Sequence, residues 1–495
     1  MPAPGSTLGE VSRRVGGEVA GDPDIWLADV THDSRSAGPD VLFVAIRGAR
    51  HDGHDYVASA VASGSPAVAV EHPMAVDASQ LIVEDTRAVM GVMAAVVHDE
   101  PSKHVAVVGV TGTNGKTTVT HYIESLVRSA GRVAGLIGTV HTRVGSTVVP
   151  SERTTPEATD FQRLLARMRD LGADVIAAEV SSHALEMNRV ASTRFAVAAF
   201  TNLSQDHLDY HGTMESYRSA KERLFSEYEV GTAVINVDDP VGAEIAGWVM
   251  GPKILVGAQA EVRAENIRTS FQGTSFDLVT PQGAAAVSSA LVGGFNVENA
   301  LVAVACCLAL GLSLGDIVHG LSELGGVPGR FERVSGQGPV HVIVDYAHTP
   351  DGVHEAISVA RELVEGRVIA VVGAGGDRDR EKRPLMGRAA SEADVAILTS
   401  DNPRSEDPDE ILREVAGGAS PDKTILEVDR YRAIERAVGL AEPGDVVLIL
   451  GKGHETGQEI DGRVLPFDDR DVARAILAMS PSSTESGTDS GSMSG

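Results

Sequence analysis

His104-Val105-Ala106-Val107-Val108-Gly109-Val110 runs directly into Thr111-Gly112-Thr113-Asn114-Gly115-Lys116-Thr117-Thr118. The first segment is an apolar run with the length of a buried strand. After the second, Val119, Tyr122, Ile123, Leu126 and Val127 recur at three- and four-residue spacing, which predicts a helix. Strand, glycine-rich turn, Lys-Thr and helix together make a phosphate cradle. Backbone N–H groups at the helix start face the anion, the lysine reaches the terminal phosphates, and the threonine hydroxyl can ligate Mg²⁺. The spacing departs from G-x-x-x-x-G-K-[ST] at one place: Val110 stands where the first glycine belongs, and Gly109 is one residue early. The match is therefore either accidental or a variant loop with its own family.

The chain has 495 residues, too many for one core, so two to four domains are expected. Against 42 Lys and Arg stand 69 Asp and Glu, a net charge of −27 with no basic block. That balance argues against nucleic acid or an anionic membrane as the main partner. The start, Met-Pro-Ala-Pro-Gly-Ser, lacks the basic and apolar regions of a signal peptide. The longest near-apolar run, Ala300 to Leu312, is too short to span a bilayer. A cytoplasmic enzyme without membrane insertion is expected. Cys306 and Cys307, the only cysteines, are adjacent within that run and read as buried free thiols.

Strand-like runs alternate with helical patterns along most of the chain, which predicts an α/β protein of three domains. Residues 1–99 carry the runs Val41–Ile46, Pro66–Val70 and Leu81–Val83 and read as a small N-terminal α/β domain. Residues 103–326 show strands at 104–110, 133–137, 174–178, 196–201 and 232–236 between helices, the pattern of a mostly parallel sheet covered on both faces. Within this block, 253–292 read as antiparallel strands. Residues 327–479 repeat the alternation, with strands at 340–344, 367–372, 394–399, 424–427 and 446–450, as a Rossmann-like unit. The tail, 480–495, is almost all Ser, Gly, Thr and acid and is expected to be disordered.

Polar clusters follow several of these strands, where open parallel sheets bind ligands. Glu179-Val180-Ser181-Ser182-His183 places a carboxylate near the phosphate loop, suited to Mg²⁺ or merely solvated at a helix entry. Thr201 to His211 is dense in polar residues. Lys221 lies in a helical stretch where spacing alone makes it a surface lysine. Gly373-Ala374-Gly375-Gly376-Asp377-Arg378 fails as a dinucleotide loop, because Arg378 stands where the last glycine would be needed. In Asp401-Asn402-Pro403-Arg404, the arginine is a planar fork for a carboxylate, and Asp401 and Asn402 can accept from an ammonium. Together with Glu455 in Gly451-Lys452-Gly453-His454-Glu455, these groups suit a ligand of both charge signs, such as an amino acid.

At this point the chain resembles the Mur ligases, the ATP-dependent amide-forming enzymes of peptidoglycan stem-peptide synthesis. Their phosphate loop has the T-G-T-N-G-K-T-T form, which resolves the spacing. Thr154-Thr155-Pro156, Glu179 to His183, Thr201 to Gly212, Lys221, Gly329-Arg330, Asp345 to Pro350 and Gly376-Asp377-Arg378-Asp379 occur in the family's order. The likeness spans about Asp33 to Glu455.

The resemblance implies a set of roles. Gly112, Thr113, Asn114, Gly115, Lys116, Thr117 and Thr118 would hold the ATP phosphates, and Asn296, Arg330 and Asp345 would also contact ATP. Thr117 and Glu179 would bind one Mg²⁺; Glu179, His207 and Lys221 would serve a second, with Lys221 carboxylated to a carbamate. His32, Ser34, Ala49, Arg50 and His51 would take the uridine nucleotide, and Thr154, Thr155, Ser181 and Arg189 the muramoyl-dipeptide. Arg378, Asp401, Asn402, Pro403, Arg404, Gly451 and Glu455 would bind the amino acid. The Asp401–Arg404 motif is similar to that of members adding meso-diaminopimelate, so the implied partners are that amino acid and UDP-N-acetylmuramoyl-L-alanyl-D-glutamate, with the chain a monomer. Lys116, Glu179, His207, Lys221 and Arg330 would carry the catalysis. Arg153 and Met187 replace Asn and Gln found in some relatives. A lysine-adding synthetase and a nucleotide-switched binding module without ligase chemistry are the rival readings.

Overall fold

Runs rich in Val, Ile, Leu and Ala form strands buried on both faces, and amphipathic segments between them form the covering helices. The computed structural model describes residues 5–48, 51–151, 153–334 and 340–479. Ala49, Arg50 and the 480–495 tail thus lie outside the described residues. Packing divides the chain into two compact units, Met1–Gly325 and Gly326–Gly495.

The first unit contains two main sheets. Parallel strands Asp29–Thr31, Val41–Val44, Ala67–Val70 and Ser79–Ile82 lie side by side, with Glu18–Ala20 antiparallel at the edge. The larger sheet has eight strands. At its centre Ala106–Thr111 pairs in parallel with Val175–Glu179 on one side and Phe195–Phe200 on the other. Val107, Val108 and Val110 are fully buried there. Outward from these lie Ala134–Ile137 on one flank and Val230–Asn236 on the other, both parallel.

Two features differ from the sequence expectation. Lys253–Val256 is not part of an antiparallel group; it adds in parallel to Val230–Asn236, and only Arg263–Ser270, Gly273–Thr280 and Gly283–Ser289 form the antiparallel sheet. Ile254, Leu255 and Val256 form a short continuous apolar run, which fits a strand of either direction and so does not decide pairing. His141–Val144 and Thr147–Pro150 form an antiparallel hairpin on the other sheet edge. Cys306 and Cys307 are buried free thiols in the helix Gly294–Ala309, as expected.

In the second unit, parallel strands run in the order His341–Asp345, Val446–Leu450, Val368–Ala374, Val395–Ser400, Thr424–Leu426. Capping residues followed by proline start the helices Pro350–Leu363 and Pro408–Ala416: Thr349 accepts from Gly352 N and Asp407 from Asp409 N. A short hairpin, Gly457–Ile460 with Arg463–Pro466, follows the last parallel strand. Beneath the strand ends, Arg430 forms a two-point pair with Asp469, at 2.8 and 2.6 Å, with both side chains fully buried. Arg430 also donates to the carbonyls of Ser400 and Leu450, the last residues of two strands.

Removing one partner of such a pair strands a buried charge, at roughly 3–5 kcal/mol. Asp469→Ala should therefore lower the urea midpoint of the second unit's unfolding by that amount of stability; an unchanged midpoint would show the pair to be idle.

Candidate active site

Three neighbouring strands, Ala106–Thr111, Val175–Glu179 and Phe195–Phe200, end beside one another, and their following residues build the first site. The loop after the central strand needs its glycines. Gly112 has φ 150° and Gly115 φ 85°. A Cβ on Gly112 would stand 1.8 Å from Thr201 Oγ1, and one on Gly115 would stand 2.2 Å from Asn299 Oδ1. The helix Lys116–Ser129 begins on Gly115 with no side-chain cap, an N-terminus suited to an anion. Lys116 Nζ donates to the carbonyls of Gly112 and Thr113 at 2.9 and 2.8 Å, over the loop. Asn114 N donates to Asn202 Oδ1 at 2.9 Å, and Thr201 Oγ1 donates to the Asn114 carbonyl at 2.6 Å. Thr118 is buried in the first turn of the helix.

Glu179 ends its strand fully buried. Its Oε2 accepts from Thr117 Oγ1 at 2.9 Å and from Thr139 Oγ1 at 3.0 Å; its Oε1 accepts from Thr139 N at 2.7 Å. The hydroxyl and the carboxylate singled out for Mg²⁺ are thus in contact, and hard oxygen donors of this kind fit that ion. Lys221 is only 2% exposed, so the surface role suggested by its helical spacing is wrong. Its Nζ donates to the Gly112 carbonyl at 2.7 Å and lies 4.3 Å over the Tyr217 ring. Burial, then the charge of Lys116, hold its amine well below the ordinary lysine range, against the pull of Asp206. His207 has a left-handed backbone, φ 56°. Its ring lies 4.7 Å from that of His183, and its Nε2 is 3.3 Å from Asp206 Oδ2. Among the described residues no three His, Cys, Asp or Glu side chains converge as a ready metal cage.

Residues expected to hold the nucleotide sugar group around an acidic hub. Glu157 pairs with Arg189 at 2.9 Å, Arg153 at 2.5 Å and Arg87 at 3.3 Å. Burial alone would raise its carboxyl, but these guanidinium groups carry it below the usual range. Arg189 Nε is buried with no acceptor, a donor left for an anion. Met187, one of the two departures, keeps its sulfur 3.4 Å from Arg189 Nη2. Thr155 Oγ1 donates to the Glu179 carbonyl at 2.7 Å, Thr154 Oγ1 accepts from Thr139 at 3.0 Å, and Ser181 caps the next short helix. A cavity of about 330 Å³ opens beside them, lined by His32, Asp33, Arg35, Ser36 and Arg153 among others. Ser34 begins the short turn that carries Arg35 and Ser36, and His51 is exposed beyond it. Asn296 is turned inward, its amide donating to the Val292 carbonyl at 2.9 Å.

The second unit gathers its own cluster, again at adjacent strand ends. Asn402 Nδ2 donates to Glu455 Oε2 at 2.8 Å. Lys452, fully buried, donates to Asn402 Oδ1 at 3.0 Å and to Glu455 Oε2 at 2.9 Å. A Cβ on Gly451 would stand 2.5 Å from Asp401 Oδ2, so this turn also requires glycine. Arg404 Nη1 donates to the Gly376 carbonyl at 2.6 Å, with Pro403 preceding it in the turn. Arg378 is exposed on the loop after Val368–Ala374. Asp345 accepts from Phe331 N and Ala347 N at 2.6 and 2.7 Å, and burial raises its carboxyl despite Arg330. Arg330 lies 4.5 Å over the Tyr346 ring.

Sequence reasoning passed over Thr139, Asn299, Glu157 and Lys452. Asn299 was within reach, since it shares a helix face with Asn296 at three-residue spacing. Thr139 sits in a turn and carries no pattern of its own.

The chain matches three family domains: the Mur ligase family catalytic domain over 27–111, the Mur ligase middle domain over 110–307, and the Mur ligase glutamate ligase domain over 329–453. It is similar to a UDP-N-acetylmuramoyl-L-alanyl-D-glutamate--2,6-diaminopimelate ligase of Geobacillus kaustophilus, 48% identical over 469 residues that cover 92% of this chain and 96% of the relative. A protein of the same name in Aquifex aeolicus is 45% identical, over 90% of this chain and 93% of its own. A solved structure titled as the same ligase is 32% identical, with TM-score 0.68, covering 96% of this chain and 99% of that one. This chain belongs to the Mur ligase family.

The packing of the phosphate loop generates a test. Gly112→Ala should weaken ADP binding by at least about tenfold in a calorimetric titration, because its Cβ cannot share space with Thr201. Unchanged ADP affinity would show that the loop is not the nucleotide site.

Proposed function

We propose that this chain is an ATP-dependent amide ligase that adds meso-2,6-diaminopimelate to UDP-N-acetylmuramoyl-L-alanyl-D-glutamate. The observation that carries this reading is the near full-length likeness, at 48% identity, to a ligase of that name. The arrangement of side chains supports it chemically. A carboxylate does not react with an amine at neutral pH, because oxide is too poor a leaving group. Transfer of the ATP γ-phosphoryl group to the D-glutamyl γ-carboxylate gives an acyl phosphate, which the amine attacks with release of phosphate.

The first transfer brings two anions together. Lys116 and the uncapped helix start draw in the polyphosphate, and Arg189 holds the substrate's acidic end. Thr117 and Glu179 would hold one Mg²⁺, and Glu179, His207 and Lys221 a second; the ions supply charge neutralisation for the two reacting anions. The neutral amine of Lys221 adds CO₂ and loses a proton, leaving a carbamate whose oxygens suit such an ion. Burial of Lys221 favours the uncharged amine that this addition needs. Asn296, Arg330 and Asp345 complete the ATP contacts, and His32, Ser34, Ala49, Arg50 and His51 those of the uridine nucleotide. Among the described residues no helix is long and apolar enough to cross a membrane. In this reading the enzyme works as a monomer in the cytoplasm.

Asp401 and Glu455 supply acceptors for the ammonium at the amino acid's distal end, and Arg404 the donor fork for its distal carboxylate, with Arg378 and Gly451 beside them. Asn402, expected to accept from that ammonium, has its Oδ1 filled by Lys452 and Glu459 N and instead orients Glu455. Lysine lacks that carboxylate and would leave Arg404 facing an ammonium. A site built for a polar partner rejects the analogue without it by roughly 10⁴ to 10⁵.

Arg404→Ala should lose diaminopimelate transfer while ATP affinity persists; kinetics like those of the unaltered enzyme would refute the assignment. Lys221→Ala should be nearly inactive and partly restored by short added carboxylates, as read by phosphate release. Full activity without additive would exclude the carbamate.

A further inference from the structure

Arg404 is held by a segment that none of the roles above uses. Its backbone is left-handed, φ 53°, a conformation that costs a non-glycine residue roughly 1–3 kcal/mol unless its surroundings enforce it. The strand Gly457–Ile460 does so. Arg404 N donates to the Glu459 carbonyl at 3.0 Å, Asp461 N donates to the Arg404 carbonyl at 2.7 Å, and Arg404 bridges in parallel to Ile460. The same strand grips the rest of the motif: Gln458 Nε2 donates to the Asp401 carbonyl at 2.6 Å, and Glu459 N donates to Asn402 Oδ1 at 3.0 Å. The guanidinium is fixed at two points as well. Nη1 donates to the Gly376 carbonyl at 2.6 Å, and Nε lies 3.3 Å from Glu459 Oε2. Nη2 has no protein partner among the described residues.

A guanidinium offers a carboxylate either its Nε–Nη2 side or its Nη1–Nη2 end. The Glu459 carboxylate lies against the Nε side as an ion pair. Nη2 makes no hydrogen bond among the described residues, and Nη1 gives one to Gly376, so the Nη1–Nη2 end keeps donor capacity. We propose that Glu459 is a positioning residue that sets amino-acid specificity by turning the Nη1–Nη2 end of Arg404 toward the distal carboxylate of the incoming diacidic amine. This rests on the reading of Arg404 given above.

The test compares Glu459→Ala and Glu459→Gln with the unaltered enzyme by phosphate release, varying meso-diaminopimelate, L-lysine, ATP and the UDP-dipeptide in turn. For Glu459→Ala the KM for diaminopimelate should rise about tenfold and the preference over lysine should fall by a similar factor. Its kcat should stay within about twofold, with the KM values for ATP and the UDP-dipeptide unchanged. Glu459→Gln keeps an oxygen facing Nε and should recover most of the loss. An Ala variant with an unchanged diaminopimelate KM would overturn the proposal, as would one in which all three KM values rise together. No diaminopimelate-dependent phosphate release from the unaltered enzyme would instead overturn the functional reading on which the proposal rests.

Discussion

The contact between Thr117 and Glu179 is the constraint around which the first unit is organised. It sets a fully buried carboxylate against the first turn of a helix whose N-terminus is made for phosphates. A phosphate bound at that helix start would be repelled by the carboxylate in a medium of low dielectric. The fold holds Glu179 there because it is the last residue of a strand flanking the phosphate-loop strand, so its place is dictated by sheet register. Thr139 and Thr155 fasten its carboxylate and its carbonyl. A carboxylate so close to a phosphate-binding helix start is the arrangement in which a hard cation would bridge the two, and Thr117 and Glu179 offer the oxygen donors for one.

The second unit solves a different electrostatic problem. It gathers Asp401, Asn402, Arg404, Lys452 and Glu455, groups of both charge signs, at adjacent strand ends without their collapsing together. Lys452, buried behind the motif, binds Asn402 and Glu455 and fixes their orientation. Below it, Arg430 and Asp469 tie the ends of the strands that carry Asp401 and Gly451. Asp401, Asn402 and Glu455 are thus supported by buried charges that are themselves satisfied, which keeps the cluster ordered.

Much of this was legible in the chain. Doubly buried parallel strands are near-continuous apolar runs, so Val107–Val110, Val175–Ala178 and Val446–Leu450 announced themselves, and the polar residues just after them do cluster at adjacent strand ends. What was not legible depends on tertiary packing. Lys221 has the spacing of a surface residue, yet the phosphate loop and Tyr217 cover it. Lys253–Val256 is a short apolar run whose direction the sequence leaves undecided, and only its partner strand makes it parallel. The hairpins at 141–150 and 457–466 are half-exposed and polar, with too little apolar contrast to register as strands. The second of them holds the Asp401–Arg404 turn, a contact that no local pattern encodes.

The most direct measurement of the central claim is phosphate release by the purified enzyme supplied with ATP, Mg²⁺ and UDP-N-acetylmuramoyl-L-alanyl-D-glutamate, with either meso-diaminopimelate or L-lysine as the amine. Rapid release with the diacid and release lower by orders of magnitude with lysine would match the site described. Equal rates with both amines, or amide formation without nucleotide consumption, would contradict it.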